Sequence, residues 1–186
     1  MTFVKNSKIL NTEKSALLII DLQERILPVI RNNEKLIENV LMLIKGAKIL
    51  KVPILYTEQY AKGLGPTAMS VKSELDSQPI CKNTFSCFGA ENLFKSLNDR
   101  KIEQIIVSGI EAHVCVQQTV LDLLENNFQV NLAVDTISSR KDIDYQTAIR
   151  RMEREGAVVS TVESVLFELL QISGTEDFKA ISKIIK

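Results

Sequence analysis

The chain has 186 residues, 45% of them hydrophobic and 25% charged, and its 23 lysines and arginines balance 23 aspartates and glutamates. That composition fits an ordinary globular chain, read here as one domain over residues 1–186 with a sizeable core. The balanced charge, the absence of a basic run, the start MTFVKNSKIL and the shortness of the apolar run ALLII argue against nucleic acid or membrane as a partner and against a signal peptide.

SALLIIDLQ is a nearly continuous apolar run ending in Asp21, as buried parallel strands read. From Asn33 to Leu50 apolar residues recur at helical spacing, and VPILYT reads as a second strand. The segment EQYAKGLGPTAMSVKSELDSQPICKNTFSCFG is then expected to be a long loop, rich in glycine and proline. Loops of that length are often functional. AENLFKSLND predicts a short helix, IEQIIVSG a third strand, CVQQTVLDLLENN a helix and FQVNLAVD a fourth strand. DIDYQTAIRRMEREG places Tyr145, Ile149 and Met152 on one helical face. AVVS is a short strand, and Ser160 with Glu163 reads as a capping box opening the helix TVESVLFELLQ. The last residues, FKAISKIIK, are open to two readings, an edge helix packed on the body or an oligomer contact. Alternation of strand and helix predicts an α/β sandwich with a mostly parallel sheet and helices on both faces.

Ligands of such sheets bind beyond the carboxyl ends of the strands. Asp21, the tripeptide Thr57-Glu58-Gln59 and the stretch SGIEAHVC collect there, and Lys82 lies in a loop that can fold over the same edge. Asp21 is either a cap or a partly buried carboxylate that takes a proton, with Gln23 to orient it or to bind substrate. Lys82 is either a solvated surface group or an ammonium on the apolar shelf of CKNTFSCFG, where it would favour a thiolate and a carboxylate. Cys115 is either a small buried hydrophobe or a nucleophile. A position at a helix start would lower its pKa. His113, the one histidine, stands only two residues before Cys115 and so need not meet it. Its readings are substrate contact, helix cap, subunit contact or base. Glu111 is read first as a turn or salt-bridge residue. Tyr60, Phe85 and Phe88 are candidates for a pocket wall or the core. The three cysteines, Cys81, Cys87 and Cys115, form no C-x-x-C and no zinc pattern. Reduced thiols in a cytoplasmic protein are therefore expected, with no cofactor and no dedicated metal site.

The segments ALLIIDLQE, VPILYTEQYAKGLGPT, CKNTFSCFG, SGIEAHVCVQQTVLDLL, VDTISSR and TVESVLFELL together resemble the isochorismatase-like cysteine hydrolase family. The resemblance is strongest to its subgroup of isochorismatase domain-containing proteins and runs nearly the whole length. It implies a three-layer α/β/α sandwich of Rossmann-like type with about six mostly parallel strands. It also implies a catalytic group of Asp21, Lys82 and Cys115, a cis peptide joining Ile110 to Glu111, and an oxyanion hole from the N–H groups of Glu111 and Cys115. Presence of the cysteine points to cleavage of a C–N bond in a small amide, ureido or carbamoyl compound through a thioester, rather than of a vinyl ether. TEQY lacks the histidines of a nicotinamidase metal site, so metal-free amidases are closer in equipment. A vinyl-ether hydrolase and a non-catalytic binding or scaffold protein remain the alternatives. The family commonly oligomerises, so a homo-oligomer is expected.

Overall fold

All six residues of the first strand, Ser15–Ile20, are buried, which is why SALLII carries no polar alternation. Leu17 and Ile19 face one apolar cluster, and Ala16, Leu18 and Ile20 face the other. The computed structural model describes residues 4–186. In chain order the elements are β1 (Ser15–Ile20), α1 (Asn33–Ile49), β2 (Ile54–Gln59), the short helices α2 (Ala61–Leu64) and α3 (Met69–Lys72), β3 (Ile80–Lys82), α4 (Glu91–Asp99), β4 (Gln104–Ile110), α5 (Gln117–Glu125), β5 (Gln129–Ser138), α6 (Asp142–Arg154), β6 (Val158–Ser160), α7 (Val162–Leu170) and α8 (Glu176–Ile184).

The six strands form one sheet in the order β3-β2-β1-β4-β5-β6, and every pairing is parallel. Helices α1, α7 and α8 cover one face through residues such as Val40, Ile44, Leu166 and Ile181. Helices α4, α5 and α6 cover the other through Leu93, Val120 and Met152. The fold is a three-layer α/β/α sandwich. Its strand order reverses between β1 and β4, which opens a crevice at their carboxyl ends. Among the described residues no helix is long and apolar enough to cross a membrane.

Three local expectations are corrected. The long loop holds α2, α3 and the edge strand β3, so Lys82 ends a strand paired with β2 through Gln59 and does not sit in a free loop. Pro79 just before β3, and its length of three residues, hide it from any periodicity test. The helix expected from Cys115 begins at Gln117, and Ala112–Val116 form a wider π-helical turn instead. The cap of α7 is Thr161, which accepts from the Ser164 N–H, and the Asp135 carboxylate accepts from the Val162 N–H. The C-terminal segment follows the first of its two readings: α8 packs on the body, with Ile181 inside the core formed with α1 and α7.

Candidate active site

Asp21 directly follows β1 with φ +53°, in the left-handed region that a short acidic side chain tolerates better than most. Gly109 makes room for this turn. It stands opposite Ile20 across the β1–β4 ladder, and a Cβ on it would lie 2.1 Å from the Ile20 carbonyl oxygen. Asp21 Oδ1 accepts from Thr57 Oγ1 at 2.7 Å, and Oδ2 accepts from Lys82 Nζ at 2.6 Å. Lys82 Nζ also donates to the carbonyl oxygens of Phe85 at 2.9 Å and Thr84 at 3.3 Å. The ammonium thus spends its three donors inside the protein, and both charges are buried as a bonded pair.

Cys115 is 4% exposed, and its thiol donates to Gln59 Oε1 at 3.0 Å. Burial raises its pKa well above the ordinary cysteine value. The adjacent Asp21 carboxylate raises it further and Lys82 opposes both. The acidified thiol expected at a helix start is therefore corrected: α5 opens two residues later, and burial beside a carboxylate outweighs the ammonium. Cys87 is also buried. Its pKa is pushed up to about 11, chiefly by burial, with Lys82 opposing. The Thr119 hydroxyl ties the two cysteines' backbones, accepting from the Cys87 N–H and donating to the Cys115 carbonyl. Cys81 is exposed on β3.

A cavity of about 270 Å³ opens over this group. Its polar lining is Asp21, Gln59, Glu111 and Cys115, and Ile26, Tyr60, Leu64, Phe85, Ile110 and Val114 make it apolar elsewhere. Strands β1, β2 and β4 thus each deliver a polar residue from their carboxyl ends, and β3 delivers Lys82 behind them. The peptide joining Ile110 to Glu111 is cis. Glu111 Oε2 accepts from the Arg140 backbone N–H and from its Nε, both at 3.0 Å. Among the described residues, no group of three or more His, Cys, Asp or Glu could hold a metal ion.

The remaining candidates divide. Tyr60 and Phe85 line the cavity. Phe88 does not: it stacks edge-on against Phe94 at 5.2 Å between ring centroids. Gln23 is fully buried and faces the chain, not the cavity. Its Nε2 donates to the carbonyls of Gln59 and Gly65, and its Oε1 accepts from the Gln59 N–H. It therefore fixes the end of β2 and with it the amide that meets Cys115. His113 points away from the cavity to Ser139 Oγ at 3.0 Å, with Asp144 at 3.9 Å. Sequence reasoning placed Thr57 and Gln59 at the ligand-binding edge without giving either a role, and passed over Arg140 as a site residue. The signal for the first two was their place at the carboxyl end of β2, beside the crevice. Arg140 carried none, because its partner lies 29 positions away.

Residues 15–164 match the family described as the isochorismatase domain. Isochorismatase domain-containing protein 2A of Mus musculus is 38% identical over 175 residues, which cover 94% of this chain and 84% of that protein. The solved structure of MAR1 ribonuclease from Caenorhabditis elegans superposes with a TM-score of 0.87 at 39% identity, covering 95% of this chain and 91% of that one. YcaC from Pseudomonas aeruginosa, solved with hexane-2,5-diol and covalent acrylamide, superposes at 0.89 with 25% identity, covering 97% and 93%. Likeness to a ribonuclease overturns the expectation that nucleic acid is excluded as a partner. That expectation rested on a net charge of zero, and a sum of charges does not describe the local field that a ligand meets. With the domain match spanning most of its length and relatives alike over more than nine-tenths of it, the chain belongs to the isochorismatase family.

Proposed function

We propose that this chain is a cysteine-dependent hydrolase that cleaves a C–N bond of a small amide, ureido or carbamoyl compound through a thioester. The observation that carries the reading is the buried set at the cavity floor, in which Cys115 lies beside an Asp21 carboxylate already bonded to Lys82. The thiol is neutral at rest, so attack on the substrate carbonyl and transfer of its proton to Asp21 go together. Lys82 holds the carboxylate in place. The tetrahedral oxygen accepts from the N–H groups of Glu111 and Cys115, and one such donor stabilises a transition state by about 3 kcal/mol. Collapse breaks the C–N bond, and the leaving amine takes the proton from Asp21. Water, deprotonated by Asp21, then attacks the thioester, the C–S bond breaks, and the proton on Asp21 returns to the sulfur, releasing the acid and restoring the thiol.

The test is a screen of small amides, ureides and carbamoyl compounds, followed by mass measurement of a trapped acyl-enzyme. Cys115→Ala should abolish turnover in a folded protein, and full activity in that variant would overturn the reading. Release of an amine marks C–N cleavage, whereas release of pyruvate would mark a vinyl-ether hydrolase. A second reading, hydrolysis of RNA, is supported by the likeness to MAR1 ribonuclease. RNA cleavage by the purified chain that survives Cys115→Ala would favour it over the first.

A further inference from the structure

The cavity lining includes two carboxylates, Asp21 and Glu111, and among the described residues no lysine, arginine or histidine. The two carboxylates differ in what they have left to offer. Each oxygen of Asp21 already accepts one bond and its remaining capacity faces the Cys115 thiol, while Lys82 behind it has no donor to spare. Glu111 takes both Arg140 bonds on Oε2 alone, and Oε1 accepts none from the described residues. Its side chain is only 5% exposed, while Arg140 is 57% exposed. The counter-ion is therefore screened by water on the outside, and Oε1 is the acceptor that Glu111 keeps for the cavity it lines.

We infer that this cavity selects substrates whose entering part is neutral or cationic and carries an N–H donor, received by Glu111 Oε1, and that it rejects a carboxylate there. The inference rests on the proposed cysteine-hydrolase reading and narrows its substrate class. A carboxylate would lose its water among like charges and apolar walls with no cation to meet it, a juxtaposition that strongly disfavours entry. An amide, ureido, guanidino or amino group would bring a donor to Glu111 Oε1 in place of water. Ile26, Tyr60, Leu64 and Val114 then suit a hydrocarbon or aromatic flank.

Three acrylamide probes of one size test it: N-ethylacrylamide (neutral), N-(2-aminoethyl)acrylamide (cationic) and N-acryloylglycine (anionic). Labelling of Cys115 is followed by mass spectrometry at one fixed, mildly alkaline pH at which the thiol reacts, each rate divided by that of N-acetylcysteine with the same probe. The neutral and cationic probes should label at least about tenfold faster than the anionic one. Arg140→Gln should widen the cationic preference, and Glu111→Gln should erase it; a purely structural role for the pair predicts neither change. Equal labelling by the three probes in the unaltered protein would overturn the selectivity while leaving the nucleophile standing. No labelling of Cys115 by any probe would overturn both readings.

Discussion

Lys82 Nζ stands 2.6 Å from Asp21 Oδ2, and neither side chain is more than 3% exposed. Removing one partner strands a charge in the interior, which typically costs about 3–5 kcal/mol. Lys82→Met should therefore lower the urea midpoint sharply as well as abolish turnover. The double variant Asp21→Asn, Lys82→Met removes both charges and should recover most of the stability and none of the activity. A Lys82→Met protein as stable as the parent would show that the pair is not held as described.

The thiols give a pH signature. Burial and Asp21 both raise the Cys115 pKa, so iodoacetamide labelling of Cys115 should turn on only in the alkaline range. Asp21→Asn removes a raising charge and should shift that onset to lower pH. Burial, the first cause, keeps it above the ordinary 9.0. An onset that moves upward in Asp21→Asn would contradict the arrangement.

Cys87 links pH to stability. Its folded pKa of about 11 lies above the ordinary 9.0, so the protonated form is favoured in the folded chain. The associated stability is fully present below about pH 9 and is lost as pH rises through 11. Cys87→Ala should start lower by roughly 1–2 kcal/mol for the small void. Its stability should then fall less steeply between pH 9 and 11 than the parent's, as read by urea titration at several pH values.

Gly109 and Gly156 make a matched pair. Both have positive φ, +126° and +113°, yet a Cβ at Gly109 meets Ile20 backbone and one at Gly156 meets nothing within 4 Å. Gly156→Ala should cost about 1 kcal/mol in backbone strain and leave activity alone. Gly109→Ala should cost several times as much and, by displacing the residue before Asp21, lower kcat. Equal effects would remove the proposed link between that glycine and the site.

Phe85 and Phe88 are about equally exposed, at 53% and 54%, but only Phe85 lines the cavity. Phe85→Ala should change KM for a substrate once one is found, whereas Phe88→Ala should act on stability alone through its contact with Phe94.

Much of this architecture was legible in the sequence, and the reasons are physical. β1 and β4 are buried from end to end, so their apolar runs stand out, and α1 and α6 carry helical periodicity. β3 escaped because three residues on a sheet edge leave no period to read. The sequence brought Asp21 and Cys115 into view through the strand ends, but Lys82 as a strand residue, Gln59 as the thiol's acceptor and Arg140 as the partner of Glu111 depend on pairings far apart in the chain. Gln23 was legible as a polar residue near Asp21. Its task of pinning the end of β2 was not, because all three of its bonds go to backbone 36 to 42 positions away.

The reversal of strand order has a cost during synthesis. β1 leaves the ribosome early, yet its second flank is covered only when residues 104–109 arrive to pair with it. Until then the most apolar strand of the sheet presents an open hydrogen-bonding edge, a template for joining other chains. Slow emergence of β4 should therefore favour aggregation of the nascent chain far more than delay at β6, whose partner β5 precedes it by a single helix.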